Sequence, residues 1–416
     1  MKIFKFGGAS VKDAEGVKNV VQVLQKVGYN NVLIVVSAMG KMTNAFEKIA
    51  SAYFYKKEEL PLFIKEARDY HYTIINKLFE SKSHPIFSEI EKLFIGLSGF
   101  MIQNKSTDYN FVYDQIVSIA ELISTKIVSH YLNESDIENT WIDVRNYIKT
   151  NNDYRDAKVD WKLTEQAITQ NINPNELYIT QGFISQDNQG NTTTLGREGS
   201  DYSAGIFAYC LNAESLIIWK DVEGVLNADP RYFKKTQLLE QISYEEAIEL
   251  AFYGASVIHP KTLQPLQKKE IPLFVKSFVN PKKNGTIVGR AKQIVPEIPC
   301  FIVKKNQLFL SISSLDFSFV VEQNISEIFG FFHQYKMKVN LIQNSAISFS
   351  ICMEDKYNLI QYLLEELCHN YKVDYFKNVS LYTIRHFNDN AIVKIEQNNK
   401  VLLKQSTQET VQMVVQ

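Results

Sequence analysis

Thr192-Thr-Thr-Leu-Gly-Arg-Glu-Gly-Ser-Asp-Tyr-Ser-Ala-Gly205 is the stretch from which the rest of the chain is read. It joins small hydroxyls, two close glycines, one arginine and two acids to an apolar run from Ala204 to Leu211. Gly196 and Gly199 let the backbone approach a ligand with no Cβ in the way. Ser200 or Asp201 is placed to cap the helix predicted to follow, and such a helix start attracts anions. Arg197 offers a planar fork that suits a carboxylate. Alone, the stretch reads equally well as a cradle for a small anion or as a surface turn before a well-capped helix.

The flanking pattern is α/β. Lys2 to Phe6 predicts a strand, Gly7-Gly8 a turn and Ser10 to Val27 a helix with Val17, Val20, Val21 and Leu24 at helical spacing. Asn31 to Ser37 is a β-branched run of the kind buried on both faces of a parallel sheet. Helices are predicted over 42–55, 113–131 and 244–253, with a helical insertion over 60–98. Strands are predicted over 141–144, 177–183, 216–222 and 271–278, with 145–160 as polar loop. The expected architecture is an open, mainly parallel sheet with helices on both faces. Near Asn280-Pro-Lys-Lys-Asn-Gly285 turn chemistry takes over. Beyond Cys300 the predicted order is β-α-β-β-α-β, a ferredoxin-like α+β motif. Its strands are placed at 308–312, 339–343, 346–352, 371–374 and 379–385, and its helices at 324–335 and 356–369. The tail reads as strand-like runs over 391–395 and 400–403.

Composition narrows the function classes. The 416 residues are 45% hydrophobic and 22% charged with a net charge of -1, so bulk charge favours neither nucleic acid nor a membrane surface. Cys210, Cys300, Cys352 and Cys368 lie far apart without a C-x-x-C pair, which fits a reducing cytoplasm and argues against a zinc site. Met1-Lys-Ile-Phe-Lys-Phe-Gly-Gly8 lacks a signal peptide's apolar region, and no run is long enough to span a bilayer.

Lys5-Phe-Gly-Gly-Ala-Ser10 places a lysine and two glycine N–H groups at the end of the first strand, where ligands of open α/β sheets bind. The spacing is not that of a Walker A loop. The segment resembles the opening signature of the aspartate kinases. So do, in order, Val36-Ser-Ala-Met-Gly40 with Thr43, Ala120-Glu-Leu122 with Ser124, Trp141-Ile-Asp-Val-Arg145, Gln181-Gly-Phe183, the arginine stretch, Trp219-Lys-Asp-Val-Glu-Gly224, Ala228-Asp-Pro-Arg231 and Tyr253-Gly-Ala-Ser-Val-Ile-His-Pro260. The resemblance covers Met1 to Gly289, and the region from Cys300 to Gln416 resembles the ACT regulatory module of the same family, with a second unit that looks truncated.

The resemblance implies an amino-acid-kinase fold and transfer of a phosphoryl group from ATP with Mg2+ to the β-carboxylate of L-aspartate. It implies Lys5, Gly7, Gly8 and Asp201 as catalytic groups, with Ser37, Thr43, Glu121, Arg197 and Ser200 holding aspartate. Lys5, Gly8, Lys220, Asp221, Gly224, Arg231 and Ser256 are implied on the nucleotide. Asn340 and Ser345 fall in the implied effector loop, Asn340 standing where lysine-sensing members carry an aspartate. A homodimer through the ACT-like region is implied, and no metal site of the protein's own. Ala9, Glu198, Leu226 and Ser256 depart from the family's usual residues. The rivals are an acetylglutamate or glutamate kinase of the same fold and a non-catalytic amino-acid sensor. Each group also has an ordinary structural reading: Glu121 as a solvated helix glutamate, Lys220-Asp221 as a strand end, His259 as a capping residue, Asp143 and Arg145 as a mutual pair.

Overall fold

The computed structural model describes residues 1–255, 258–290, 293–316 and 318–416. Contacts divide it into two compact units. The first is Met1–Val225, Leu238–Ile248 and Ile258–Ile294; the second is Leu226–Gln237, Glu249–Val257 and Val295–Gln416.

The first unit opens with β1 (Lys2–Phe6), a short 3-10 turn, α1 (Ala14–Val27) and β2 (Val32–Val36). Asp13 caps α1 by accepting from the Gly16 N–H at 2.8 Å, so the predicted helix start at Ser10 is corrected to a turn followed by the helix. All five β2 residues are buried, as a β-branched run between two helical layers requires. Then come α2 (Met42–Phe54), α3 (Leu60–Leu78), α4 (Pro85–Gln103) and α5 (Tyr109–Glu134). The helical insertion is thus two helices, broken where Pro85 begins the second. Next are β3 (Thr140–Trp141), α6 (Trp161–Asn171), β4 (Tyr178–Gln181), β5 (Ile184–Gln186), β6 (Thr192–Thr194), α7 (Gly199–Cys210) and β7 (Ser215–Lys220). The strand expected over 141–144 stops at Trp141, because Asp143 caps a 3-10 turn at the Arg145 N–H and pairs with the Arg145 guanidinium. Helix α6 falls beyond the polar stretch and was not anticipated. Two-residue strands β8 (Val225–Leu226) and β9 (Leu238–Leu239) precede β10 (Gln241–Ser243), α8 (Tyr244–Tyr253), α9 (Pro260–Lys268), β11 (Leu273–Ser277) and β12 (Thr286–Gly289).

Eight of these strands form one sheet in the order β10-β12-β11-β7-β1-β2-β4-β3. Every pairing is parallel except β11 with β12, so the α/β expectation holds. Strand β12 directly follows the turn read at 280–285. Phe4, Phe6, Ile34, Val36 and Trp219 pack with Val17, Val20 and Leu24 of α1 and Ile116, Ile123 and Ile127 of α5. Each such side chain removed from water contributes about 1.5–3 kcal/mol.

The second unit carries β13 (Cys300–Ser314), α10 (Glu322–Gln334), β14 (Lys338–Asn344), β15 (Ser348–Glu354), α11 (Ile360–Asn370) and β16 (Tyr371–Arg385). Then come α12 (Asp389–Glu396), β17 (Val401–Ser406) and β18 (Thr410–Val415). Its sheet runs β14-β15-β13-β16-β18-β17 and is antiparallel throughout. The first four strands have the ferredoxin-like order, and β17 and β18 extend the same sheet. The strand-like run 391–395 is corrected to helix: Asn388 caps α12 through the Ala391 N–H. The two runs read within 371–385 form one continuous strand. Among the described residues no helix is long and apolar enough to cross a membrane. Cys210, Cys352 and Cys368 are free thiols.

Candidate active site

Parallel strands aim their carboxyl ends at one edge of the sheet, and the site is built there. Lys5 is the penultimate residue of β1, Ser37 follows β2, and Thr43 lies in the first turn of α2. Asp114 and Glu121 sit seven residues apart on α5, which puts them on one helix face. The two loops after β1 and β2 close on each other: the Gly40 N–H donates to the Gly8 carbonyl at 3.0 Å. A Cβ on Gly8 would stand 2.7 Å from the Ala38 oxygen, so this approach requires glycine.

The arginine stretch supplies the facing wall. Gly196 has φ +76° and Glu198 φ +54°, and α7 begins at Gly199. The cap position is therefore Glu198, in a left-handed conformation, and Ser200 and Asp201 belong to the first helical turn; this corrects the capping expectation. The Glu198 carboxylate accepts from the His259 N–H at 3.0 Å, and His259 Nδ1 caps α9 at the Lys261 N–H. So Glu198, beside Arg197, is engaged at the start of another helix.

Together these elements enclose a cavity of about 420 Å³. Lys5, Ser37, Thr43, Glu121, Arg197, Ser200 and Asp201 all line it. Lys5 Nζ lies 2.7 Å from Asp201 Oδ1, with both side chains about nine-tenths buried. Glu121 is 2% exposed, and its Oε2 has no hydrogen-bond partner among the described residues. Burial pushes its carboxyl up to about 8, against the opposing pull of Lys5 and the Ala38 N–H. No ion pair engages the Arg197 guanidinium among the described residues. The cavity thus holds one buried carboxyl in want of a cation and one arginine in want of an anion.

Of the other predicted positions in the first unit, Gly7, Gly8, Lys220, Asp221 and Gly224 do not line this cavity. Gly7 and Gly8 edge the loop beneath Lys5: a Cβ on Gly7 would lie 3.3 Å from Lys5 Nζ. Lys220 ends β7, Asp221 is exposed just beyond it, and Gly224 (φ +158°) packs so closely that a Cβ would meet Thr286 Oγ1 at 2.5 Å. Exposed Arg231 pairs with Asp229 across three side-chain hydrogen bonds. Ser256 lies outside the described residues. Asn340 is on β14, its carbonyl oxygen accepting from Lys304 Nζ at 2.8 Å and its amide donating to Gln307 at 2.7 Å. Ser345 is exposed, its N–H bonded to the Ser348 carbonyl. Tyr113 and Arg155 line the cavity without having been singled out, and Phe183 and Thr194, which stood in quoted motifs, line it without having been assigned a role. Thr194 stood in the quoted stretch, whereas Arg155 lay in a polar segment with no periodicity to distinguish it.

The amino acid kinase family matches residues 1–277. Lysine-sensitive aspartokinase 3 of Escherichia coli (strain K12) is 32% identical over 355 residues, 85% of this chain and 78% of that one. The bifunctional aspartokinase/homoserine dehydrogenase of Buchnera aphidicola subsp. Acyrthosiphon pisum is 29% identical, and the chain spans 46% of its length. The crystal structure of E. coli aspartokinase III in complex with lysine and aspartate superimposes with a TM-score of 0.83 at 28% identity, covering 100% of this chain and 96% of that one. The same enzyme in complex with aspartate and ADP gives 0.80 at 27% identity, with the same coverage.

Proposed function

The chain belongs to the aspartokinases of the amino acid kinase family, and we propose that it transfers the γ-phosphate of ATP to the β-carboxylate of L-aspartate, giving 4-phospho-L-aspartate. The observation that carries this reading is one cavity holding the Lys5–Asp201 pair, the buried Glu121 and the unpaired Arg197. Arg197 takes the α-carboxylate and Glu121 the ammonium, which leaves the β-carboxylate directed toward Lys5. Ser37, Thr43 and Ser200 supply hydroxyls for its oxygens.

The nucleophile is ionised at neutral pH, so no general base is needed. A β-carboxylate oxygen forms the new bond to the γ-phosphorus. The bond from that phosphorus to the bridging oxygen breaks, and ADP leaves with the electron pair. Catalysis is then positioning and charge neutralisation. Lys5 supplies the cation, Asp201 orients it, and the Gly7 and Gly8 N–H groups face the phosphates. Mg2+ bound with the nucleotide would supply shielding of the phosphate charge. Lys220, Asp221, Gly224, Arg231 and Ser256 are the nucleotide contacts of this reading, and the cytoplasm its compartment.

Acetylglutamate is disfavoured because its amide nitrogen carries no charge, leaving the buried Glu121 without a cation. A sensor without turnover has no use for a lysine–aspartate pair held in the cavity. The product feeds amino-acid biosynthesis of the lysine and threonine type. The region from Cys300 to Gln416 forms the dimer, and lysine inhibits weakly or not at all, since Asn340 already holds the ammonium of Lys304. Trapping the acyl phosphate as its hydroxamate, with aspartate, glutamate and acetylglutamate as alternative acceptors, tests the assignment.

A further inference from the structure

Residues 151–158 belong to no helix, and Arg155 of this segment lines the cavity. Arg155 has φ +72°, a conformation that costs a non-glycine residue energy and persists only where its surroundings impose it. Buried Asp114 imposes it. Its carboxylate accepts from the Arg155 N–H at 3.0 Å, the Thr194 N–H at 2.9 Å and the Thr194 hydroxyl at 2.8 Å. One buried acid thus fixes both the polar segment and the strand leading into the arginine stretch. The same contact surface explains Gly196, where a Cβ would stand 2.6 Å from Asp156 Oδ1 and 3.2 Å from the Arg155 carbonyl oxygen. Lys261 pairs with Asp156 and ties the segment to α9.

This anchoring sends the Arg155 side chain across the mouth of the cavity. Its guanidinium lies 4.2 Å from the Tyr113 ring centroid and 5.7 Å from that of Tyr109, both on α5. Its charge partner is Glu47, at 3.8 Å on α2, one turn beyond Thr43. Both partners are more than two-fifths exposed, so this pair is worth little and opens easily. The stacking on Tyr113 remains while the fork is redirected.

We propose that Arg155 is a specificity-determining residue of the amino-acid pocket, a second guanidinium held over its mouth that favours an acidic substrate and that Glu47 restrains while the pocket is empty. This rests on the pocket being the amino-acid site. Arg197 alone would accept the α-carboxylate of any amino acid. Lys5 receives the β-carboxylate inside the pocket, and Arg155 adds positive charge to the lining that favours a substrate with two carboxylates over one with a single carboxylate.

The test uses the full chain and begins with turnover of aspartate by the wild-type protein; absence of turnover counts against the function itself, not against Arg155. Given turnover, Arg155→Ala should raise the KM for aspartate roughly fivefold, the effect of a partly exposed charge, with the KM for ATP unchanged. Arg155→Lys should retain most of the affinity. Glu47→Gln should lower the KM for aspartate, because the restraint on Arg155 is gone. Equal impairment by Arg155→Ala and Arg155→Lys, or an aspartate KM that Glu47→Gln leaves unchanged or raises, would reduce Arg155 to a structural prop and overturn the proposal. If Arg155→Ala fails to fold, the lysine and Glu47 variants still decide.

Discussion

Glu121 carries the sharpest pH signature of any residue in the pocket. Its carboxyl is pushed up to about 8 by burial, so at neutral pH it is mostly protonated in the empty protein. An ammonium is bound by the ionised form. The kcat/KM for aspartate should therefore rise with pH on a limb near 8, and Glu121→Gln should lower the level and flatten that limb. Stability runs the other way. The fold favours the neutral carboxyl, a contribution fully present below the ordinary value of 4.5 and lost as pH rises through about 8. Glu121→Gln should accordingly gain Tm over the wild type at pH 9 relative to pH 6. A pH-independent difference in Tm would place the carboxyl in water. Lys5 is held by its ion pair with Asp201. Lys5→Met should abolish turnover, since an oriented transition-state charge is worth roughly 3 kcal/mol or more. It also leaves Asp201 buried without its cation, a loss of about 3 kcal/mol in stability. Lys5→Met with Asp201→Asn should recover much of that stability without recovering turnover. Arg197→Ala should raise the KM for aspartate, not that for ATP, by about 2 kcal/mol, and lysine there should rescue only in part. A shift in ATP affinity instead would move Arg197 to the nucleotide.

At the scale of elements, the residues legible in the sequence are those fixed by strand ends. Lys5 and Ser37 had to fall at the carboxyl edge once β1 and β2 were read as parallel neighbours. Glu121 was legible only through the ordered resemblance, because α5 is apolar nearly all round and its pattern does not mark a polar face. Arg155 and Asp114 were not legible. Their roles arise when a structureless segment, a helix and a strand separated by tens of residues converge, and no local pattern reports that. The cap of α7 was misassigned for a related reason. Ser200 and Asp201 are good capping residues by type, but a left-handed residue at Glu198 starts the helix earlier. Gly182 shows how tightly the elements meet. A Cβ there would lie 2.5 Å from that of Ser200, so Gly182→Ala must push the first turn of α7 away from β4. The expected outcome is a folded protein less stable by about 1–3 kcal/mol with a raised KM for aspartate. A normal KM in a destabilised variant would mean that Ser200 does not contact the substrate.

At the scale of the whole molecule, both sheets were foreseen in class, while their edges were not. Strand β12 follows directly on turn residues, and α12 forms in residues of strand character, where capping overrides local propensity. The second unit also takes in 226–237 and 249–257, segments that precede its main stretch by tens of residues, which no scan for a linker reveals. Light scattering on the full chain should give twice the monomer mass of 47.9 kDa, and a monomer would remove the dimer from the account. Lysine should inhibit poorly; potent inhibition at submillimolar lysine, lost in Asn340→Ala, would contradict the assignment of Asn340. The central claim is the acceptor. With ATP, Mg2+ and hydroxylamine present, the full chain should form hydroxamate from L-aspartate, form little from glutamate or acetylglutamate, and form none in Lys5→Met. Hydroxamate from acetylglutamate in preference to aspartate, or undiminished turnover in Lys5→Met, would contradict it.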